Sequence, residues 1–155
     1  MKSAMHTRRL FTRRTAILTG LASVAFGRAS AAERPNVTIY KDPQCGCCGE
    51  YAAYLRRNGF PVTVVDSPDL TAIKKRFGVP QQLESCHTAT VAGYVVEGHV
   101  PLRAIDRLLK EKPAIGGIAL PDMPAGSPGM AGPKTAPFTV FVIDSIARPR
   151  VFSVE

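Results

Sequence analysis

Three of the chain's four cysteines, Cys45, Cys47 and Cys48, fall within four positions of one another, in Asp42-Pro43-Gln44-Cys45-Gly46-Cys47-Cys48-Gly49-Glu50. Thiolate is the form of cysteine that binds soft metals or attacks disulfides, so sulfur packed this densely points to one of those two chemistries. The bland alternative, three small residues that merely suit a turn, leaves the density unexplained. The fourth cysteine, Cys86, is followed directly by His87. His99, Met123 and Met130 are the other soft or borderline donors beyond the N-terminal segment, which itself holds His6.

These residues need elements to position them. Val37-Thr38-Ile39-Tyr40 alternates and reads as a strand. Tyr51-Ala52-Ala53-Tyr54-Leu55 reads as part of a helix, Glu50 to Arg57, stopped by Asn58-Gly59. The three clustered thiols therefore sit on a strand-to-helix turn, with Gly46 and Gly49 letting the backbone curl. The positive end of the helix dipole favours thiolate there. Val62 to Val65 reads as a second strand. A helix capped by Ser67 or Asp69 places Leu70, Ile73 and Phe77 on one face and ends at Gly78 and Pro80. A loop carries Cys86-His87. Thr88 to Val91 and Tyr94 to Val96 then flank Ala92-Gly93 as a hairpin. Pro101 opens a helix with Leu102, Ile105, Leu108 and Leu109 on its face and an Asp106–Lys110 pair. Gly116 to Pro137 is rich in Gly and Pro and shows no helical period. Phe138 to Ile143 and Val151 to Val154 read as a terminal hairpin.

This order matches a thioredoxin-like α/β arrangement: a mixed sheet flanked by helices, with an added C-terminal β-hairpin. In such a fold the loop before the third strand lies beside the first cysteine turn, so all four cysteines and His87 converge.

The chain has 155 residues and a formal charge of +8, which misleads. Six of its basic residues and no acidic one precede Ala32, and the remainder holds 14 basic and 12 acidic residues. The charge gives no case for nucleic acid. Residues 1–31 read as an export signal: a basic start, an apolar stretch from Ala16 to Phe26, and Ala29-Ser30-Ala31 as a cleavage site. Thr7-Arg8-Arg9-Leu10-Phe11 resembles a twin-arginine signal, with Arg13-Arg14 a second candidate pair. The expectation is a cleaved signal, a periplasmic domain spanning 32–155, and no membrane span thereafter.

Four motifs together resemble a family of small exported proteins, predicted to bind metal and linked to copper resistance, the CopG-type proteins. They are Cys45-Gly46-Cys47-Cys48, Cys86-His87-Thr88-Ala89, the run Gly93 to Pro101 containing Gly98-His99-Val100-Pro101, and Met123-Pro124-Ala125-Gly126-Ser127-Pro128-Gly129-Met130. The match covers about Val37 to Met130, most of the expected mature chain. The resemblance implies a thioredoxin-like domain, a periplasmic location and copper as the metal, with other periplasmic copper-handling proteins as partners.

The donor set fits that implication. Soft thiolate and thioether ligands select Cu(I). Cys45, Cys47 and Cys48 lie too close in sequence to act as separated corners of a structural zinc site, but shared thiolates can bridge more than one Cu(I). Zinc remains a competing reading, and the spacing fits none of the usual iron–sulfur patterns. Convergence of all three sulfurs is expected to need a turn that stays irregular until about Gly49. His87 reads either as a ligand or as a hydrogen-bonding loop residue. For His99, capping or exposure before Pro101 is at least as good a reading as ligation. Met123 and Met130 read either as soft ligands on a lid or as core plugs. The expected metal set is Cys45, Cys47, Cys48, Cys86, His87, Met123 and Met130.

A second function class is a thiol–disulfide oxidoreductase using Cys45 and Cys48 as a CxxC pair. The extra Cys47, the missing proline between the pair and the absence of proline just before Thr88 disfavour it. No carboxylate pair, serine triad or phosphate loop has the spacing that other catalysis would need.

Overall fold

The computed structural model describes residues 33–144 and 148–155; the expected export signal, residues 1–31, lies outside them. Seven strands form one mixed sheet in the order β2-β1-β3-β4-β5-β6-β7. The sheet is built from two parallel crossover units joined by antiparallel pairs. β1 (Val37–Lys41) runs through α1 (Gly46–Arg57) into its parallel neighbour β2 (Val62–Asp66). α2 (Leu70–Arg76) and a single 3-10 turn at Gln81–Leu83 lead to β3 (His87–Val91), antiparallel to β1. The Ala92-Gly93 turn joins β3 to β4 (Tyr94–Gly98). α3 (Leu102–Glu111) then carries the chain to β5 (Gly117–Leu120), parallel to β4. β6 (Thr139–Ile143) and β7 (Arg150–Val154) add the expected terminal hairpin.

Side chains alternate across each strand, so the sheet has two cores. Tyr51, Ala52 and Leu55 of α1 pack with Ala104, Ile105 and Leu108 of α3 against Ile39, Ala89, Val96 and Ile118. On the other face Val79 and Leu83 pack against Val95, Ala119 and Ile143. The neighbours Val95 and Val96 thus serve opposite cores, as do Ile118 and Ala119. Helices cover both faces, as the element order requires.

The structure departs from the sequence reading in four places. α1 begins at Gly46, four residues before Glu50. Glycine weakens a helix by only about 1 kcal/mol, and the burial of Cys48 and Tyr51 outweighs it. β5 occupies part of the stretch that lacks helical period. It is buried along its whole length between β4 and β6, so its four residues carry no alternation to read. Asp106 bonds Arg34 at 2.6 Å rather than Lys110, and the i,i+4 pair of α3 is Arg107–Glu111. The buried residue of α2 is Lys74, while Leu70, Ile73 and Phe77 are only half-buried. Asp69 caps that helix, accepting from the Ala72 N–H.

Candidate metal centre

The cysteine turn is set by its own polar groups. Cys45 donates its N–H to the Asp42 carbonyl at 3.0 Å, closing a turn with Pro43 inside it. The Asp42 carboxylate accepts from the Gln44 N–H at 2.7 Å. Lys41, nearly buried, donates its ammonium to the carbonyls of Asp42 and Pro43 and pairs with Asp66. Cys45 is therefore held in extended conformation as the residue that precedes the helix, and Cys47 and Cys48 begin the first turn of α1. An irregular backbone up to Gly49 proves unnecessary. Because Cys45 lies outside the helix, it does not follow helical spacing, and its sulfur reaches to 3.5 Å from that of Cys47.

Cys45 and Cys48 are joined as a disulfide, and Cys47 and Cys86 are free thiols. Cys48 is fully buried, whereas the other three are half-exposed. Antiparallel pairing sets Lys41 opposite His87, so the start of β3 meets the end of β1 beside the turn. All four sulfurs lie within 4.8 Å of one another. Four thiolates would so converge once the disulfide is reduced.

Behind Cys86 stand two buried imidazoles. Its sulfur lies 3.3 Å from His87 Nδ1 and 3.0 Å from His99 Nε2. Both rings are inaccessible to solvent. Tyr51 forms their floor, its ring centroid 4.8 Å from that of His87 and 5.2 Å from that of His99, and its hydroxyl donates to the Val100 carbonyl. Gly98, at φ +75°, turns the chain out of β4; a Cβ there would stand 2.5 Å from both the Leu120 carbonyl and the Ser85 hydroxyl. That turn carries His99 inward.

Burial decides the protonation of this group. It pushes the Cys86 thiol up to about 12, with Cys47 adding to the shift, so the thiol holds its proton until a metal displaces it. His87 is held well below its ordinary pKa by burial, then by His99 and Lys74. His99 is lowered too, chiefly by burial. Both rings are neutral at neutral pH, the state that ligates metal. Burial also raises the Tyr51 phenol far above its usual range.

A buried ion pair on the opposite face of the sheet braces Cys86. The Glu97 carboxylate accepts from Lys74 Nζ at 2.5 Å, the Thr88 hydroxyl at 2.7 Å and the Ser85 N–H at 2.6 Å. Burial pushes the Glu97 pKa up and Lys74 is the main counterweight. The Ser85 bond fixes the backbone immediately before Cys86.

The loop from Met123 to Met130 closes over the helix end. The Pro128 carbonyl lies 2.6 Å from His99 Nδ1. Gly129, at φ +83°, approaches so closely that a Cβ would stand 2.7 Å from Tyr51 N and 3.1 Å from the Cys47 carbonyl. Met130 follows directly, half-buried, its N–H donating to Ser127. Met123 is 40% exposed. The fold thus brings together Cys45, Cys47, Cys48, Cys86 and His87, sets the Met130 backbone beside them, and leaves Met123 at the surface.

Residues 83–130 match a family model described only as a protein of unknown function, DUF411. No functionally curated protein matches the chain. Two solved structures do, both titled copper resistance protein CopG. Form 1 is 37% identical, with a TM-score of 0.72, over 79% of this chain and 98% of that one. Form 2 is 38% identical, with a TM-score of 0.70, over 79% and 99%. The chain belongs to the CopG family of copper resistance proteins. The sequence motifs pick out the cysteines and His87 that the fold brings together, but do not mark Tyr51, Lys74 or Glu97 and leave His99 open between ligand and cap. An acidic residue ending the apolar run Tyr94-Val95-Val96 was the available sign of a buried partner. A histidine between Gly98 and Val100 was the sign of an imidazole turned inward.

Proposed function

We propose that the chain is a periplasmic copper-binding protein that holds Cu(I) in copper resistance or homeostasis. Cys45, Cys47, Cys48 and Cys86 supply the thiolates, with His87, Met123 and Met130 in support. The observation that carries this reading is the convergence of four sulfurs from two separate elements within 4.8 Å. The titles of the two solved relatives name copper resistance, and thiolates and thioethers prefer Cu(I). A dithiol reductant, itself oxidised to a disulfide, opens the Cys45–Cys48 bridge to two thiols by exchange, and Cu(I) then displaces the thiol protons. Four sulfurs this close suit bridging, hence more than one ion per chain. Export by the twin-arginine route, with a mature N-terminus near Ala32, places the site where copper enters and where thiols oxidise. Other copper-handling proteins of that compartment would deliver or receive the metal.

Cys47→Ser tests this. In reduced, anaerobic protein the variant should bind markedly less Cu(I) per chain while reducing a model disulfide at the wild-type rate. Undiminished copper would refute the cluster. It would favour the second reading, a thioredoxin-like oxidoreductase, which the Cys45–Cys48 disulfide supports.

A further inference from the structure

We propose that the end of the sheet farthest from the cysteines is a docking surface for an anionic phospholipid layer, and that seating there turns the sulfur site toward the solution.

The topology sorts charge between the two ends. β1 and β2 both run toward the cysteine turn, so α1, which joins them, runs away from it, and α3 does the same between β4 and β5. α2 also runs away, since Arg76 in its last turn borders a surface hollow with Asn36 and the Ala92-Gly93 turn. Three helices thus finish at one end, and each finishes in exposed cations: Arg56 and Arg57, Lys75 and Arg76, Lys110 and Lys112. Among the described residues none of these six forms an ion pair with a carboxylate. The start of β7 adds exposed Arg148 and Arg150, the latter paired with Asp144. The cysteine end carries the reverse sign. Asp42, Glu50, Asp66, Asp69 and Asp122 are exposed there, and the exposed cations among its described residues are Arg103 and Lys134.

Helix dipoles favour a cation in each last turn. They account neither for a pair at every helix end nor for Lys112 and Arg148, which lie outside the helices. α1 and α3 cover one face of the sheet and α2 the other, so the cations ring the end rather than gather in one pocket. A ring suits a flat layer of phosphates, which offers an anion at every position. A protein partner would have to match each cation with an acid of its own.

Distance decides the orientation. A strand of five residues spans about 17 Å, and the screening length at physiological salt is about 8 Å. With the basic end seated, the acidic end therefore stands beyond the reach of the surface. Turned over, it meets like charge. Each Lys or Arg close to an anionic leaflet strengthens binding about fivefold.

Every described strand, helix and core residue lies within 32–155, so that stretch carries its own fold. It is tested without residues 1–31, whose six basic residues would bind the same vesicles. The protein is metal-free, so the outcome is independent of copper binding. Co-sedimentation with vesicles of equal parts phosphatidylglycerol and phosphatidylcholine should show binding that pure phosphatidylcholine does not. Salt at about 1 M, where the screening length is about 3 Å, should release it. Arg57→Gln/Lys112→Gln should weaken binding about 25-fold. Arg103→Gln/Lys134→Gln removes the same net charge from the opposite end and should leave binding within about twofold. Vesicle-bound Cys47 should react with a charged thiol reagent at its free rate. Equal weakening by the two double variants, or equal binding to both vesicles, would overturn the proposal. Protection of Cys47 on the vesicle would overturn the orientation. Absence of vesicle binding together with salt-sensitive binding to polyglutamate would overturn it in favour of an acidic protein partner.

Discussion

On one side of the pocket, Cys45, Cys47 and Cys48 hang from the start of α1, three sulfurs on four consecutive positions, two of them half-exposed. On the other, Cys86 stands in front of two fully buried imidazoles and is braced from behind by a buried carboxylate. The helix side is held by backbone turns and a lysine at the rim. The strand side is held by side chains locked within the core. The difference separates two tasks. The helix side carries the two sulfurs that are joined as a disulfide, and the strand side carries donors fixed by the core.

The largest test of this contrast strikes the brace. Glu97→Ala leaves the Lys74 ammonium buried without its carboxylate, a change that costs about 3–5 kcal/mol. Urea denaturation should show that loss, and the Lys74→Met/Glu97→Gln double variant should recover most of it. Disulfide exchange by the helix side should stay at the wild-type rate in the double variant. A changed rate there would mean that the two sides are not separate.

Gly129→Ala strikes the helix side. The new methyl group would need both a left-handed backbone and room already taken by Tyr51 N and the Cys47 carbonyl. Destabilisation by about 1–3 kcal/mol is expected. Copper transfer to a chelator should also quicken, because the loop that carries Pro128 and Met130 is pushed off α1. An unchanged transfer rate would show that the loop does not retain the metal.

Acid should act on the strand side alone. His87 and His99 both have pKa values depressed below the ordinary value near 6.5. Below that pH the unfolded chain binds protons that the folded chain refuses. Stability present above about pH 6.5 is therefore lost as pH falls through and below it. Metal-free protein should show a falling urea midpoint between pH 7.5 and pH 5.5, with the same slope whether Cys45 and Cys48 are joined or reduced. A slope that depends on reduction would couple the two sides.

The smallest expected effect on stability belongs to the loop methionines. Met123→Leu/Met130→Leu keeps apolar bulk and should change apo stability by under about 1.5 kcal/mol, while Cu(I) retention falls. Equal losses in both would make the two residues packing elements.

The sequence displayed the helix side far better than the strand side. Clustered cysteines are visible at a glance, and the strand before them alternates cleanly. The mixed sheet, both crossover helices and the terminal hairpin followed from periodicity and turn residues. β5 did not, because a short strand buried on both faces has no polar phase. The start of α1 was misplaced because Gly46 and Gly49 argue locally for a turn, and only tertiary burial reverses that. Lys74 and Glu97 escaped, and His99 stayed undecided between ligand and cap, for a related reason. Each acts through a partner distant in sequence: Pro128 for His99, and residues 14 and 23 positions from Lys74. Local pattern carries no trace of such pairings.

The Cys45–Cys48 bridge closes a segment with a sequence separation of only 3. Tying so few residues together removes little freedom from the unfolded chain, about 2 kcal/mol against about 4.7 kcal/mol for a hundred-residue loop. Opening the bridge therefore costs the fold less than half of what opening a hundred-residue one would. The electron supply of the surroundings can set how many thiolates the protein offers, and do so without passing it through a fragile state. The number of sulfurs free to take a soft metal then follows the reducing power of the surroundings, adjustable in place on molecules already made.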